Sequence, residues 1–318
     1  MCFCTTTFLY YFKSTNNYMS KIKLIKGLKI SRIVHGLWRL KEWNFSRQQL
    51  LQLMEQAVEL GITTFDHADI YGNYSCEQIF GEALSLKKGL RKKMQLISKC
   101  GIKLNTDKNP AQKIKYYDYC FKHIVSSAEN SLANLGTDYI DVLLLHRPSP
   151  FLDPGEVAKA FDHLRRAGKV LFFGVSNFTP QQQSMLAAYL DKPLVTNQVE
   201  ISPYCLEHFD NGNMDYFLEK KIHPMAWSPL AAGKILNPSD EKGQRIFDTL
   251  TAVADELNTP VIDKIIYCWL LQHPAGIIPI AGSSKIERLK YAADALNMEM
   301  STEQWFRIYN ASTGRDLP

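Results

Sequence analysis

The sequence predicts an α/β protein, a single (β/α)8 TIM barrel with a short N-terminal hairpin. Three observations carry this reading. Eight short apolar runs alternate with helical patterns along the chain. The runs are continuously apolar instead of alternating, as strands covered on both faces are. No linker or shift in composition divides the 318 residues. A parallel sheet closed on itself meets all three conditions. An open, doubly wound sheet is the alternative, and it is disfavoured because no strand runs into a Gly-x-Gly-x-x-Gly turn.

The elements follow in order. Ser20 to Ser31 alternates polar and apolar residues around Gly27, a hairpin pattern. Arg32 to Leu37 is the first barrel strand. Ser46 to Leu60 is an amphipathic helix capped by Ser46 and stopped by Gly61, with Leu50, Leu53, Met54, Ala57 and Val58 on its buried face. Strand Thr63–His67 leads to helix Cys76–Leu84. Strand Met94–Lys99 leads through a long loop, Gly101–Tyr116, to helix Asp118–Leu135. Strand Tyr139–His146 precedes helix Gly155–Ala167, and strand Leu171–Asn177 precedes helix Pro180–Tyr189. Strand Val195–Glu200 precedes helix His208–Lys220. Strand His223–Ser228 is followed by a loop and two helical patterns, the second being Val261–Gln272. Strand Gly276–Ala281 precedes helix Lys285–Leu296 and a last helix, Thr302–Ala311.

A net charge of +5 is mild, and the densest basic run, Lys87 to Lys93, reads as a solvated turn. Nucleic acid is therefore not an expected partner, whereas an anionic small molecule suits the bias. The seven cysteines form no Cys-x-x-Cys pair. That argues against metal and disulfides and for a reducing, cytoplasmic setting. Residues 1–19 read as a disordered extension of the 20–318 barrel, with Met19 an alternative start. Its apolar run Phe8–Phe12 is too short to span a membrane, and it lacks the marks of a signal peptide. No membrane partner is expected. A monomer is the favoured oligomeric state.

In such a barrel the active site lies at the C-terminal strand ends. Those ends carry Trp38, Asp66, Lys99, His146, Ser176, Asn177, Gln198, Trp227 and Ser228, with Tyr71 in the loop after Asp66. Paired-carboxylate chemistry lacks a good pair there, a metal lacks ligands, and no nucleophile elbow is present. A phenol, an amine, one carboxylate and one imidazole remain. Taken singly, Asp66 reads equally well as a turn cap, Lys99 as a solvated side chain and His146 as a core histidine.

Several stretches together resemble the aldo-keto reductase family. They are Phe65-Asp66-His67-Ala68-Asp69-Ile70-Tyr71-Gly72, Ser98-Lys99, Leu145-His146-Arg147-Pro148 and Gly168-Lys169-Val170. They continue with Gly174-Val175-Ser176-Asn177-Phe178, Asn197-Gln198-Val199-Glu200 and Trp227-Ser228-Pro229-Leu230. The His-Arg-Pro and Gly-Ser-Ser-Lys segments are most similar to a bacterial-type branch. The resemblance implies a reductase of aldehydes or ketones that takes a hydride from NADPH. It implies Tyr71 as general acid, with Lys99 lowering the phenol's pKa, Asp66 holding Lys99, and His146 orienting the carbonyl. It further implies that Ser176, Asn177 and Gln198 hold the carboxamide and that Trp227 stacks on the nicotinamide. Ser228, Leu230 and Gly233 would follow the pyrophosphate, and Ser283, Lys285 and Arg288 would meet the 2′-phosphate. Trp38 is placed with these cofactor contacts. His67 stands where the family often has Thr, and alternation turns it away from Asp66. Tyr291 and Ala292 stand where relatives carry polar adenine contacts. Two other readings stay open: a cofactor-binding sensor barrel, and a non-redox barrel using Lys99 as a Schiff base.

Overall fold

The structure, a computed structural model, describes residues 21–107, 110 and 112–318. The expected extension at residues 1–19 lies outside them. In chain order the strands are β1 (Lys21–Ile25), β2 (Leu28–Ser31), β3 (Val34–Gly36), β4 (Thr64–Asp66), β5 (Gln95–Cys100), β6 (Ile102–Lys103), β7 (Tyr116–Tyr117), β8 (Ile140–Leu145), β9 (Val170–Ser176), β10 (Asn197–Glu200), β11 (Met225–Trp227) and β12 (Ile278–Ala281). The helices are α1 (Arg47–Glu59), α2 (Tyr71–Tyr74), α3 (Cys76–Leu84), α4 (Phe121–Leu135), α5 (Pro154–Arg166), α6 (Pro180–Ala187), α7 (Glu207–Asp210), α8 (Asn213–Lys220), α9 (Glu241–Glu256), α10 (Ile262–Leu271), α11 (Ile286–Asp294) and α12 (Thr302–Thr313).

Eight strands close a barrel in the order β10-β11-β12-β3-β4-β5-β8-β9, with every pairing parallel. Closure leaves no unpaired edge. Val34, Ile97, Val142, Leu144, Met225, Ile278 and Ile280 fill the barrel interior. Leu28 and Ile30 of the hairpin join this cluster, and the Ser31 backbone N–H donates to Thr64 Oγ1 at the start of β4. The hairpin therefore plugs the N-terminal end. The outer layer packs the helices on the barrel through a larger core that includes Phe65, Phe80 and Trp269.

Local signals explain the helix ends. Ser46 Oγ accepts from the Gln49 N–H while the Ser46 N–H donates to Gln49 Oε1, a complete capping box. Thr179/Gln182 and Ser301/Gln304 build the same box on α6 and α12.

Three local expectations are revised. The Gly101–Tyr116 stretch is partly structured, because β6 pairs antiparallel with β7. The helix expected over His208–Lys220 breaks at Asn211 and Gly212 into α7 and α8. The basic run Lys87–Lys93 is not wholly solvated: the Arg91 guanidinium donates to Asp141, Thr137 and the carbonyls of Met94 and Tyr139. Among the described residues, no helix is long and apolar enough to cross a membrane.

Candidate active site

Parallel closure brings β4 and β5 side by side, with Asp66 and Lys99 at their C-terminal ends. The Lys99 Nζ donates to Asp66 Oδ1 at 2.8 Å, Asp66 Oδ2 at 2.7 Å and the His67 carbonyl at 2.7 Å. A fourth contact joins Nζ to the Tyr71 hydroxyl at 3.1 Å. Burial pulls the ammonium's pKa down, but Asp66 and Tyr71 outweigh it, and the net shift is upward. Lys99 is thus a charged group held without solvent.

Tyr71 is carried into this pair by the tight turn from Ala68, whose carbonyl accepts from the Tyr71 N–H. Burial raises the phenol's pKa and Lys99 pulls it partly back, leaving it above its ordinary value. The lowering expected from Lys99 is present but smaller than the burial effect. His146, at the end of β8, packs edge-on to Tyr71 with ring centroids 5.9 Å apart. Burial, then Lys99, Arg147 and Lys115, hold its pKa well below 6.5, so the imidazole is neutral. Its Nδ1 is buried without a partner among the described residues.

The next strands supply a polar floor. The Ser176 hydroxyl donates to the Gln198 carbonyl, and Asn177 Nδ2 donates to Ser176 Oγ at 2.8 Å. The Trp227 Nε1–H donates to Asn177 Oδ1 at 3.0 Å, which fixes the indole. Gln198 Nε2 donates to Asp66 Oδ1 at 2.8 Å, so this amide supports the Asp66–Lys99 pair as well as the floor. After Trp227 the loop carries three non-glycine residues in the left-handed region: Ser228 at φ 50°, Ala231 at 49° and Ala232 at 55°. Such strain persists where the surroundings over-determine it, as in ligand clamps.

Except for Lys99, which is fully buried, these residues line one cavity of about 1040 Å³ at the C-terminal end of the barrel. Trp38, Asp66, Tyr71, His146, Ser176, Asn177, Gln198, Trp227, Ser228, Leu230, Gly233 and Arg288 all face it. Ser283 and Lys285, between Gly282 and Arg288 in sequence, are not part of its wall. Ser283 Oγ instead accepts from the Lys285 N–H in the turn before α11. The Arg288 guanidinium is engaged side-on by Asp263 at 3.0 and 3.4 Å. Ala292 is fully buried, so it faces the core. His67 packs edge-on to Phe80 at 4.5 Å between centroids, away from the cavity, as alternation implies.

A nicotinamide dinucleotide fits this donor set. The cavity offers a fixed indole face, an amide floor, a strained backbone loop and a guanidinium at the far wall. Sequence reasoning missed two buried carboxyl contacts near Lys99: Asp69 accepts from the Ser127 hydroxyl and Glu77 from Ser98. It also left Arg147 without a role. Both depend on partners distant in the chain, for which no local pattern exists.

The comparisons agree with this geometry. Residues 32–312 match the model of the Aldo/keto reductase family. The chain is 50% identical over 300 residues to the oxidoreductase YcsN of Bacillus subtilis (strain 168), covering 94% of this chain and 100% of that one. It is 39% identical over 302 residues to a 6-dehydroglucose reductase of Agrobacterium fabrum (strain C58 / ATCC 33970), covering 94% and 100%. The crystal structure of the thermostable aldo-keto reductase Tm1743, in complex with the inhibitor epalrestat, superposes with a TM-score of 0.76 at 23% identity, covering 92% and 100%, which speaks to the fold. With a family match over most of its length and that family's barrel, the chain belongs to the aldo/keto reductase family of oxidoreductases.

Proposed function

We propose that this chain is an NADP(H)-dependent reductase of aldehydes or ketones, with Tyr71 as general acid. One observation carries the reading. The Tyr71 oxygen accepts a hydrogen bond from the Lys99 ammonium, which leaves the phenol's own proton free to point into the cavity beside His146. A nicotinamide held on Trp227 would supply the hydride to the carbonyl carbon. The neutral His146 donates its N–H to the carbonyl oxygen and orients it. Tyr71 gives its proton to that oxygen as negative charge develops there, completing the alcohol. Lys99 stabilises the phenolate left behind, and Asp66 keeps Lys99 charged and in place.

Ser176 and Asn177 are assigned to the carboxamide, with the Gln198 side-chain oxygen beside them. Trp227 takes the ring face. The strained loop from Ser228 through Leu230 to Gly233 is assigned to the pyrophosphate. Arg288 is assigned to the 2′-phosphate, with Ser283 and Lys285 joining only if their turn moves. A cytoplasmic setting and a small-molecule carbonyl substrate go with this reading.

Fluorescence titration with NADPH, followed by a screen of aldehydes and ketones, tests it on wild type and Tyr71→Phe. The variant should bind NADPH as wild type does and lose turnover by a factor of about 10² to 10⁴. Near wild-type turnover in the variant would remove Tyr71 from the mechanism. Tight NADPH binding with negligible turnover in wild type would favour the sensor barrel.

A further inference from the structure

Arg147 follows His146 at the end of β8, and its guanidinium reaches across the cavity to 5.5 Å from the centroid of the Trp227 ring on β11. Its backbone is clamped. The Tyr119 hydroxyl donates to the Arg147 carbonyl at 2.5 Å and accepts from the Arg147 N–H at 3.1 Å. Tyr119 is itself buried against Gly101, where a Cβ would lie 1.9 Å from the phenol ring and φ is +107°. No side chain can replace hydrogen at Gly101 without displacing this support.

The side chain, by contrast, is held only by its approach to the Trp227 ring. Among the described residues the Arg147 guanidinium makes no hydrogen bond and no ion pair, although it lines the cavity and is only partly exposed. Glu200 shares the cavity and feels the Arg147 charge, yet it forms no ion pair with it. Lys115 lines the same cavity, and its charge bears on His146 together with that of Arg147. A guanidinium presents five donors in a rigid fork that matches carboxylate and phosphate. At a partly exposed position the unpaired fork is open to an anion that enters the cavity.

The strand order sets the Arg147 backbone apart from the assigned 2′-phosphate site. β8 and β12 lie four strands apart in the closed ring of eight, so the backbone stands opposite the β12–α11 turn that leads to Arg288, while the guanidinium lies in the cavity near Trp227. We propose that Arg147, with Lys115 beside it, binds an anionic group carried by the carbonyl substrate itself, a carboxylate or a phosphate monoester. The carbonyl then sits between His146 and Tyr71 while its acidic tail points to the Arg147 fork. This rests on the reductase reading and adds the substrate class to it.

Two matched pairs test the proposal: 4-oxobutanoate against butanal, and glyceraldehyde 3-phosphate against glyceraldehyde. Wild type should favour the anionic member of at least one pair by about tenfold or more in kcat/KM, and the favoured pair identifies the anion. Arg147→Gln should reduce that ratio at least tenfold, mainly through KM, and Arg147→Lys should recover part of it. Equal or better use of the neutral member in both pairs would overturn the proposal, as would a ratio unchanged in Arg147→Gln. Calorimetric titration of benzoate and inorganic phosphate into NADPH-loaded wild type and Arg147→Gln supplies a readout free of turnover. Anion binding lost in the variant, with wild type inactive on these four aldehydes and on every carbonyl of the screen, would keep the anion site and bring down the reductase reading. Anion binding absent from wild type, or equal in both proteins, would bring down the anion site alone.

Discussion

Lys99 and Asp66 face each other from adjacent strands with their side chains 1% and 4% exposed and 2.7 Å between Nζ and Oδ2. Removing one partner from such a pair leaves an uncompensated buried charge, which typically costs about 3–5 kcal/mol. Asp66→Asn should therefore lower the unfolding free energy at neutral pH by about that amount, and turnover should fall with it. Because Lys99 titrates above its ordinary 10.5, the ammonium's contribution is intact at neutral pH and fades, on the alkaline side, as pH rises through the folded value. Urea unfolding of wild type and variant at pH 7 checks the first statement, and a wild-type series extended above pH 10 checks the second.

Acid and base should act on stability through different residues. Burial holds His35 at about 4 and His67 and His146 well below 6.5. The unfolded chain takes up these protons first, so stability should fall as pH drops from about 6.5 toward 4. Asp69 works in the opposite sense. Burial raises it from 3.8 to about 7, so the folded state keeps a proton that the unfolded state has lost, and this contribution disappears as pH rises through that window. Asp69→Asn should be more stable than wild type at pH 8 and no more stable at pH 4. Denaturation midpoints at the two values decide it.

Cofactor choice should rest on Arg288. Charge-assisted hydrogen bonds contribute about 1.5–3 kcal/mol. Arg288→Ala should therefore weaken NADPH roughly 10- to 100-fold and leave NADH almost untouched. The gap between the cofactors should narrow with salt, since the Arg288 side chain is 40% exposed. Dissociation constants for both cofactors at low and high salt provide the check. Equal weakening of the two would mean that Arg288 only pairs with Asp263 and ties α11 to α10.

The eight barrel strands were readable because each is a short apolar run that ends in a polar loop. His67 was read as structural from alternation alone, and its contact with Phe80 agrees. Strands β6 and β7 were not readable, because two-residue strands carry no period. Arg91 looked solvated because its partner Asp141 lies fifty residues on, and only folding joins them. Tyr119 and Arg147 share that difficulty: a phenol clamping a backbone 28 residues away leaves no local mark. That Asp66, Lys99, Tyr71 and His146 would come together was legible through the resemblance and the strand ends. The distances among them, and the use of Gln198 to hold Asp66, required the structure.

The hairpin plug has a kinetic consequence. Leu28 and Ile30 close one end of the barrel, and the described cavity lies at the other end. Two reactants sharing one doorway cannot arrive independently. If the dinucleotide stacks on Trp227 as proposed and lies deeper than the carbonyl substrate, it must enter before the substrate and leave after it. Turnover would then follow an ordered sequence, with the dinucleotide first in and last out.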